Sequence, residues 1–138
     1  RLIQIGVEPF LVAPSIIGVM AQRLVRKLCP ACRERYQLTP QEIQAVFTSD
    51  GNTTVHAWHS KGCRECSFTG YFGRIAIQEL FVIDDATREL IAHEATILDI
   101  KNAAFSRGFT TMRHDGIKKV LRGLTTFQEV DHVTVESE

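Results

Sequence analysis

The sequence predicts an α+β fold in which an antiparallel strand pair encloses a four-cysteine insert and is followed by a small helical bundle. Apolar, β-branched runs over Ile16–Leu28 and Arg74–Ile83 read as the two strands. Between them lie two matching C-x-x-C pairs, Cys29-Pro30-Ala31-Cys32 and Cys63-Arg64-Glu65-Cys66. From Asp84 onward, helix caps and glycine stops alternate with apolar stretches of helical period.

The elements follow in order. Glu8-Pro9 suits a helix start, because proline lacks only a donor that would be unpaired there, and a short helix within Arg1–Ser15 is expected to stop near Pro14. In the first strand Gln22, Leu24, Arg26 and Leu28 alternate, although Val19-Met20-Ala21 does not. Thr39-Pro40-Gln41-Glu42 is a capping box with Ile43, Val46 and Phe47 on one face, and Asp50-Gly51-Asn52 is a turn signal. A polar, strand-like segment through Val55 and Trp58 leads to the second cysteine pair. Gly70-Tyr71-Phe72-Gly73 reads as a turn, and the strand after it as largely buried, since both its faces carry apolar residues. Asp84 or Asp85, then Thr96, are expected to cap two helices, the second stopping at Gly108. A third helix is expected from about Thr111 to Arg122, with Gly123 beyond its end, and a last one after Thr125 with Gln128 or Thr126 with Glu129.

The two C-x-x-C pairs account for all four cysteines. Each presents two sulfurs from a tight turn, and two such turns complete a closed tetrahedral shell of the kind zinc takes in structural sites. Cys29, Cys32, Cys63 and Cys66 are therefore the expected ligands. Two disulfides, or redox-active thiols, are the alternatives. The absence of a leader and of any apolar run near the ~20 residues that span a bilayer favours a reducing, cytosolic setting. The 30 residues between Cys32 and Cys63 exceed a compact zinc ribbon, and the helix after Thr39 absorbs the excess. His59, four residues before Cys63, is a substitute ligand should one cysteine be unused.

Other chemistry is missing. The 138 residues contain no G-x-x-x-x-G-K-[ST] loop, no H-E-x-x-H and no nucleophile elbow, so the chain alone is not expected to be an enzyme. His114 beside Asp115 faces a different direction on a helix and reads as a cap or salt bridge. Lysine and arginine balance aspartate and glutamate at 16 each, which removes the general electrostatic case for nucleic-acid binding. A local basic run, Arg23, Arg26, Lys27, Arg33 and Arg35, opposed by Glu34, reads as a solvated strand face and knuckle rim. Its alternative is a free-standing zinc ribbon that binds nucleic acid through this run and the aromatics Tyr71 and Phe72.

The order of short motifs is more specific than any one of them. Leu2, Gly6-Val7-Glu8-Pro9-Phe10, Ala21-Gln22-Arg23-Leu24-Val25-Arg26, Leu28-Cys29-Pro30 with Cys32, and Gly62-Cys63 with Cys66 come first. Thr69-Gly70-Tyr71 with Gly73-Arg74, Asp115-Gly116, and Gly123 with Thr125-Thr126 and Glu129-Val130 follow. In this arrangement the chain resembles, over nearly its whole length, the C-terminal part of the hexameric type II secretion and type IV pilus assembly ATPases of bacteria. The resemblance implies that the chain is part of a larger RecA-like ATPase, cytoplasmic and peripheral at the inner membrane through partners. Its phosphate-binding loop, Walker B segment and histidine box would lie before Arg1, so ATP and magnesium belong to the full-length parent. It implies residues 1–28 as the end of the ATPase core, 29–66 as the tetracysteine module, 67–83 as the returning core strand and 84–138 as a C-terminal helical subdomain. It further implies Arg74, and second Arg23, as nucleotide or subunit contacts, the alternative for each being a strand-end arginine paired with Glu79 or another carboxylate. The implied partners are the other subunits of a homohexamer and an inner-membrane platform protein, with no nucleic acid.

Overall fold

The computed structural model describes residues 1–47 and 54–134, so the expected turn at Asp50-Gly51-Asn52 lies outside the described residues. The order is α1 (Pro9–Ser15), β1 (Gly18–Leu28), β2 (Arg33–Gln37), α2 (Pro40–Val46), β3 (His56–Ser60), a 3-10 turn (Arg64–Cys66), β4 (Tyr71–Val82), α3 (Asp85–Ala92), α4 (Ile97–Ser106), α5 (Met112–Leu121) and α6 (Phe127–Thr134). The fold is α+β. β1 pairs with β4 and β2 with β3 in two separate two-stranded sheets. Ile83 N–H donates to the Ile17 carbonyl and Cys29 N–H to that of Gly70, each at 3.0 Å, as expected of an antiparallel β1–β4 pair.

Three expectations for the strands need correction. Tyr71, Phe72 and Gly73 belong to β4 rather than to a turn before it. β4 is also not largely buried: Ile77 alone among its residues is fully enclosed, and Leu80 and Val82 are more than half exposed. In β1 Leu28 is the one member of the alternating set that is buried, Val25 is buried beside it, and Leu24 is exposed.

Chain contacts divide the molecule into two compact units, Arg1–Ala21 with Gln78–Thr111 and Gln22–Ile77 with Met112–Glu138. In the first, α1 packs on α3 and α3 on α4. Pro14 lies inside α1 and denies the Phe10 carbonyl its helical donor, and the helix ends one residue later. Asp84 caps α3, accepting from Thr87 N–H at 2.9 Å and from the Thr87 hydroxyl at 2.7 Å, while Arg107 reaches the same carboxylate at 2.9 Å. The Asp84 carboxyl is held below its usual range by the Thr87 hydroxyl and N–H first, and by Arg107 more weakly. Thr96 and Asp99 cap α4 reciprocally. Phe109 meets Phe81 and Phe105 edge-on, with ring centroids 5.9 and 5.5 Å apart.

The second unit is built on Val25, Leu38, Ile43, Ala57, Ile77, Val120 and Val130, all buried. α5 packs on α6 and on β3. Gly116 is what allows the helix contact, because a Cβ there would lie 2.6 Å from Val130 Cγ1. The Thr39–Glu42 capping box forms as the sequence predicts, with Pro40 at the first helical position. At α6 the Thr126 hydroxyl accepts from Glu129 N–H at 3.3 Å, but the Glu129 carboxylate turns to Arg26, accepting from its backbone N–H at 3.0 Å and its guanidinium at 2.6 Å. The Arg26 hydrogen bond outweighs partial burial and holds the Glu129 carboxyl below its usual range. The helices after Asp84 are thus shared, α3 and α4 in one unit and α5 and α6 in the other.

Candidate metal centre

The β2–β3 ladder explains how two distant cysteine pairs meet. β2 begins directly after Cys32 and β3 ends three residues before Cys63, and the antiparallel register runs from Gln37↔His56 to Arg33↔Ser60. The last rung therefore sets the two C-x-x-C turns side by side. α2 occupies the connection between the strands, as its capping box implied. β2 itself is not legible as a strand, because Arg33-Glu34-Arg35-Tyr36-Gln37 is almost wholly polar and shows no apolar alternation.

Each turn is held by its own backbone. Cys32 and Arg33 N–H donate to the Cys29 carbonyl at 3.4 and 3.1 Å, and Cys66 and Phe68 N–H to that of Cys63 at 3.3 and 2.8 Å. Ser67 and Phe68 take left-handed backbone angles, φ 52° and 61°. Gly70 follows at φ +76°, where a Cβ would meet Ser60 Cβ at 2.4 Å, so glycine is required for conformation and for space.

The four sulfurs all lie within 4.8 Å of one another. Cys29 Sγ is 4.0 Å from Cys63 Sγ, and Cys66 Sγ is 3.8 Å from both Cys32 Sγ and Cys63 Sγ. Four sulfurs at ~2.3 Å around a tetrahedral zinc stand ~3.8 Å apart, so the cluster fits one such ion. A disulfide needs about 2.05 Å, and all four cysteines are unbridged. Cys29, Cys32 and Cys66 are buried and Cys63 is half-buried, which shields the shell from solvent. Backbone N–H groups of Cys63 and Gly70 donate to Cys66 Sγ at 3.2 Å each, the kind of outer-shell support that fixes thiolate ligands. Burial pushes the Cys32 thiol up to about 12. Burial acts upward on Cys66 as well, but the N–H groups of Cys63 and Gly70, with the neighbouring cysteines, bring it down to about 6. A divalent cation would make all four thiolates.

His59 is not part of this shell. Its Nε2 lies 3.4 Å from Glu34 Oε2 and its ring 5.5 Å from that of Tyr36. Two residues of the basic run, Arg26 and Arg33, are engaged within the protein. Arg26 pairs with Glu129 and lies 4.2 Å over the Tyr71 ring, while Arg33 donates to the Gly123 carbonyl and lies 4.6 Å over Trp58. Asp115 pairs with Lys119, four residues on.

A family profile described as Type II/IV secretion system protein matches residues 1–132. The chain belongs to that family. As a type II/IV secretion system protein it is 43% identical over 136 residues to type II secretion system protein E of Dickeya dadantii, covering 99% of this chain and 26% of that protein. It is 44% identical over 136 residues to type II secretion system protein E of Pseudomonas aeruginosa, covering 99% and 27%. It is 39% identical over 137 residues to the type IV pilus assembly ATPase PilB of Thermus thermophilus, covering 99% and 15%. The chain thus spans about a quarter or less of the length of these relatives. In this secretion-family chain Arg23 lies on β1 and Arg74 on β4, directly after Gly73 with φ +74°. Both arginines are exposed, and no ion pair to either is seen among the described residues. No helix among the described residues is long and apolar enough to cross a membrane.

Proposed function

We propose that the chain is the C-terminal part of a hexameric, RecA-like cytoplasmic ATPase that powers type II protein secretion or type IV pilus assembly, and that it supplies a structural zinc module and a docking surface for subunits or partners. The observation that carries this reading is the four-sulfur cluster within a chain that aligns end to end with secretion and pilus proteins, one of them named an ATPase. Residues 1–28 then end the ATPase core, 29–66 form the zinc module, 67–83 return to the core and 84–138 form the C-terminal helical subdomain. Zinc held by Cys29, Cys32, Cys63 and Cys66 would close its shell with protein ligands, cross-linking the two turns and leaving no position for substrate.

ATP and magnesium bind in the parent protein, since these 138 residues hold no phosphate-binding loop. Arg74, exposed on a strand after a left-handed glycine, is suited to meet phosphate oxygens or a carboxylate of a neighbouring subunit, and Arg23 is the second such group. Extensive exposed apolar surface supports docking: Phe10, Leu11, Ile17 and Met20 in one unit, Phe68 and Phe72 in the other, are all more than half exposed. The rest of the parent, its fellow subunits and an inner-membrane platform protein are the expected cover. Nucleic-acid binding is not favoured, because Arg26, Arg33 and Tyr71 are committed to internal contacts.

The test uses the full-length parent. Arg74→Ala is expected to lower ATP hydrolysis without loss of zinc or of folded protein, and Cys66→Ser to lose zinc and destabilise the chain. Full ATPase activity and hexamer assembly in Arg74→Ala would remove the arginine from the nucleotide or subunit contact.

A further inference from the structure

In the second unit the β2–β3 ladder and the end of α5 border an open cleft of about 420 Å³, lined by Arg35, His56, Trp58 and Arg122 with the apolar Val55 and Leu121. Among the described residues that line it, the charge is of one sign. Elsewhere Arg26, Arg88, Arg107 and Arg113 each meet a carboxylate, and Arg33 is engaged by Gly123 and Trp58. Among the described residues Arg35, Arg122 and His56 meet none. Arg35 stands directly opposite Trp58 in the ladder register, so a guanidinium and an indole share one face of the sheet. The carbonyls at the end of α5, which would repel an anion, are partly occupied: Arg33 takes that of Gly123, and Gly123 and Leu124 N–H close back on those of Val120 and Lys119.

We propose that this cleft binds an acidic peptide segment of a partner protein, with Arg35 and Arg122 meeting its carboxylates and Trp58, Val55 and Leu121 receiving an adjacent apolar side chain. Two guanidinium groups provide the fork that carboxylates fit, and charge complementarity sets the class of the occupant. A peptide is favoured over a polyanion, since the chain as a whole carries no net charge to attract one and the cleft has room for only a few side chains. The inference stands on the cleft alone and does not need the motor reading.

Trp58 is the only tryptophan in the chain, so its emission reports occupancy directly. The chain is titrated with a short, acetylated and amidated peptide of alternating glutamate and leucine, with the glutamine–leucine counterpart, with inorganic phosphate and with duplex DNA. Saturable change with the glutamate peptide alone, weakened by salt, is expected. Arg35→Ala and Arg122→Ala should each weaken it by up to about fivefold, the upper end for an exposed ion pair, and Arg35→Glu should abolish it. Arg88→Ala, which removes an arginine paired elsewhere, should leave it unchanged. Equal binding of the neutral peptide, tighter binding of phosphate or DNA, or affinities unaltered in the Arg35 and Arg122 variants would each overturn the proposal. Zinc content and circular dichroism of each variant confirm that it is folded.

Discussion

Gly70 ties together the features on which the metal centre depends, and replacing it by alanine tests them at once. Its N–H donates to Cys66 Sγ at 3.2 Å, its carbonyl accepts from Cys29 N–H at 3.0 Å, and β4 starts at the next residue. Alanine at φ +76° costs about 1–2 kcal/mol for the left-handed conformation. The new Cβ would also stand 2.4 Å from Ser60 Cβ and 3.0 Å from Ser60 Oγ, which forces β3 and the second turn apart. Overpacking of that kind adds about 1–3 kcal/mol, for a total of about 2–5 kcal/mol. Displacing an outer-shell donor should in addition weaken zinc by roughly 10- to 100-fold. Urea denaturation of the zinc-loaded chain, with zinc affinity measured by competition against a chromophoric chelator, reads both effects. Gly73→Ala is the internal control, because φ is +74° there but nothing lies within 4 Å of the added Cβ. It should lose only the conformational part and keep its zinc affinity. Equal losses for the two variants, or a Gly70→Ala loss under about 0.5 kcal/mol, would refute the packing argument.

Gly116→Ala should destabilise by about 1–3 kcal/mol in denaturant despite alanine's helix preference, and the double variant with Val130→Ala should lose less than the sum of the two single variants, since the clash is with Val130 Cγ1. Glu129 has a depressed pKa in the folded chain, so its contribution is present above its unfolded pKa and is lost as pH falls through the lower folded value. Glu129→Gln should accordingly flatten the acid limb of a stability–pH curve below about pH 4.5 and leave its alkaline limb unchanged. Thr96→Ala removes the α4 cap and should cost about 1 kcal/mol by thermal or urea melting, without altering zinc content.

The parts of the fold that were legible in sequence rest on local chemistry. The boxes at Thr39–Glu42 and Thr96–Asp99 and the Asp84 cap are written in contiguous residues and form as read. The cysteine spacing is of the same kind, and it yielded the four residues that cluster. What escaped depends on pairing at a distance. β2 carries a polar sequence and becomes a strand through its rungs with β3, not through an apolar face. Apolar residues on both faces of β4 suggested burial on both sides, yet among the described residues its sheet has two strands, and Leu80 and Val82 remain exposed. The basic run near the first turn could not announce that Arg26 would find Glu129, 103 residues on, or that Arg33 would find Gly123, 90 residues on. A signal for both was nevertheless present in the aromatic residues Tyr71 and Trp58, which arginines cover.

The proposed zinc site at Cys29, Cys32, Cys63 and Cys66 is open to measurement of metal content together with zinc-edge X-ray absorption on protein purified without added metal. One zinc per chain in a shell of four sulfurs at ~2.3 Å is expected, with cysteines that do not react with thiol reagents until the metal is chelated. Less than stoichiometric zinc in folded protein, nitrogen or oxygen in the first shell, or four freely reactive or disulfide-linked cysteines would contradict it.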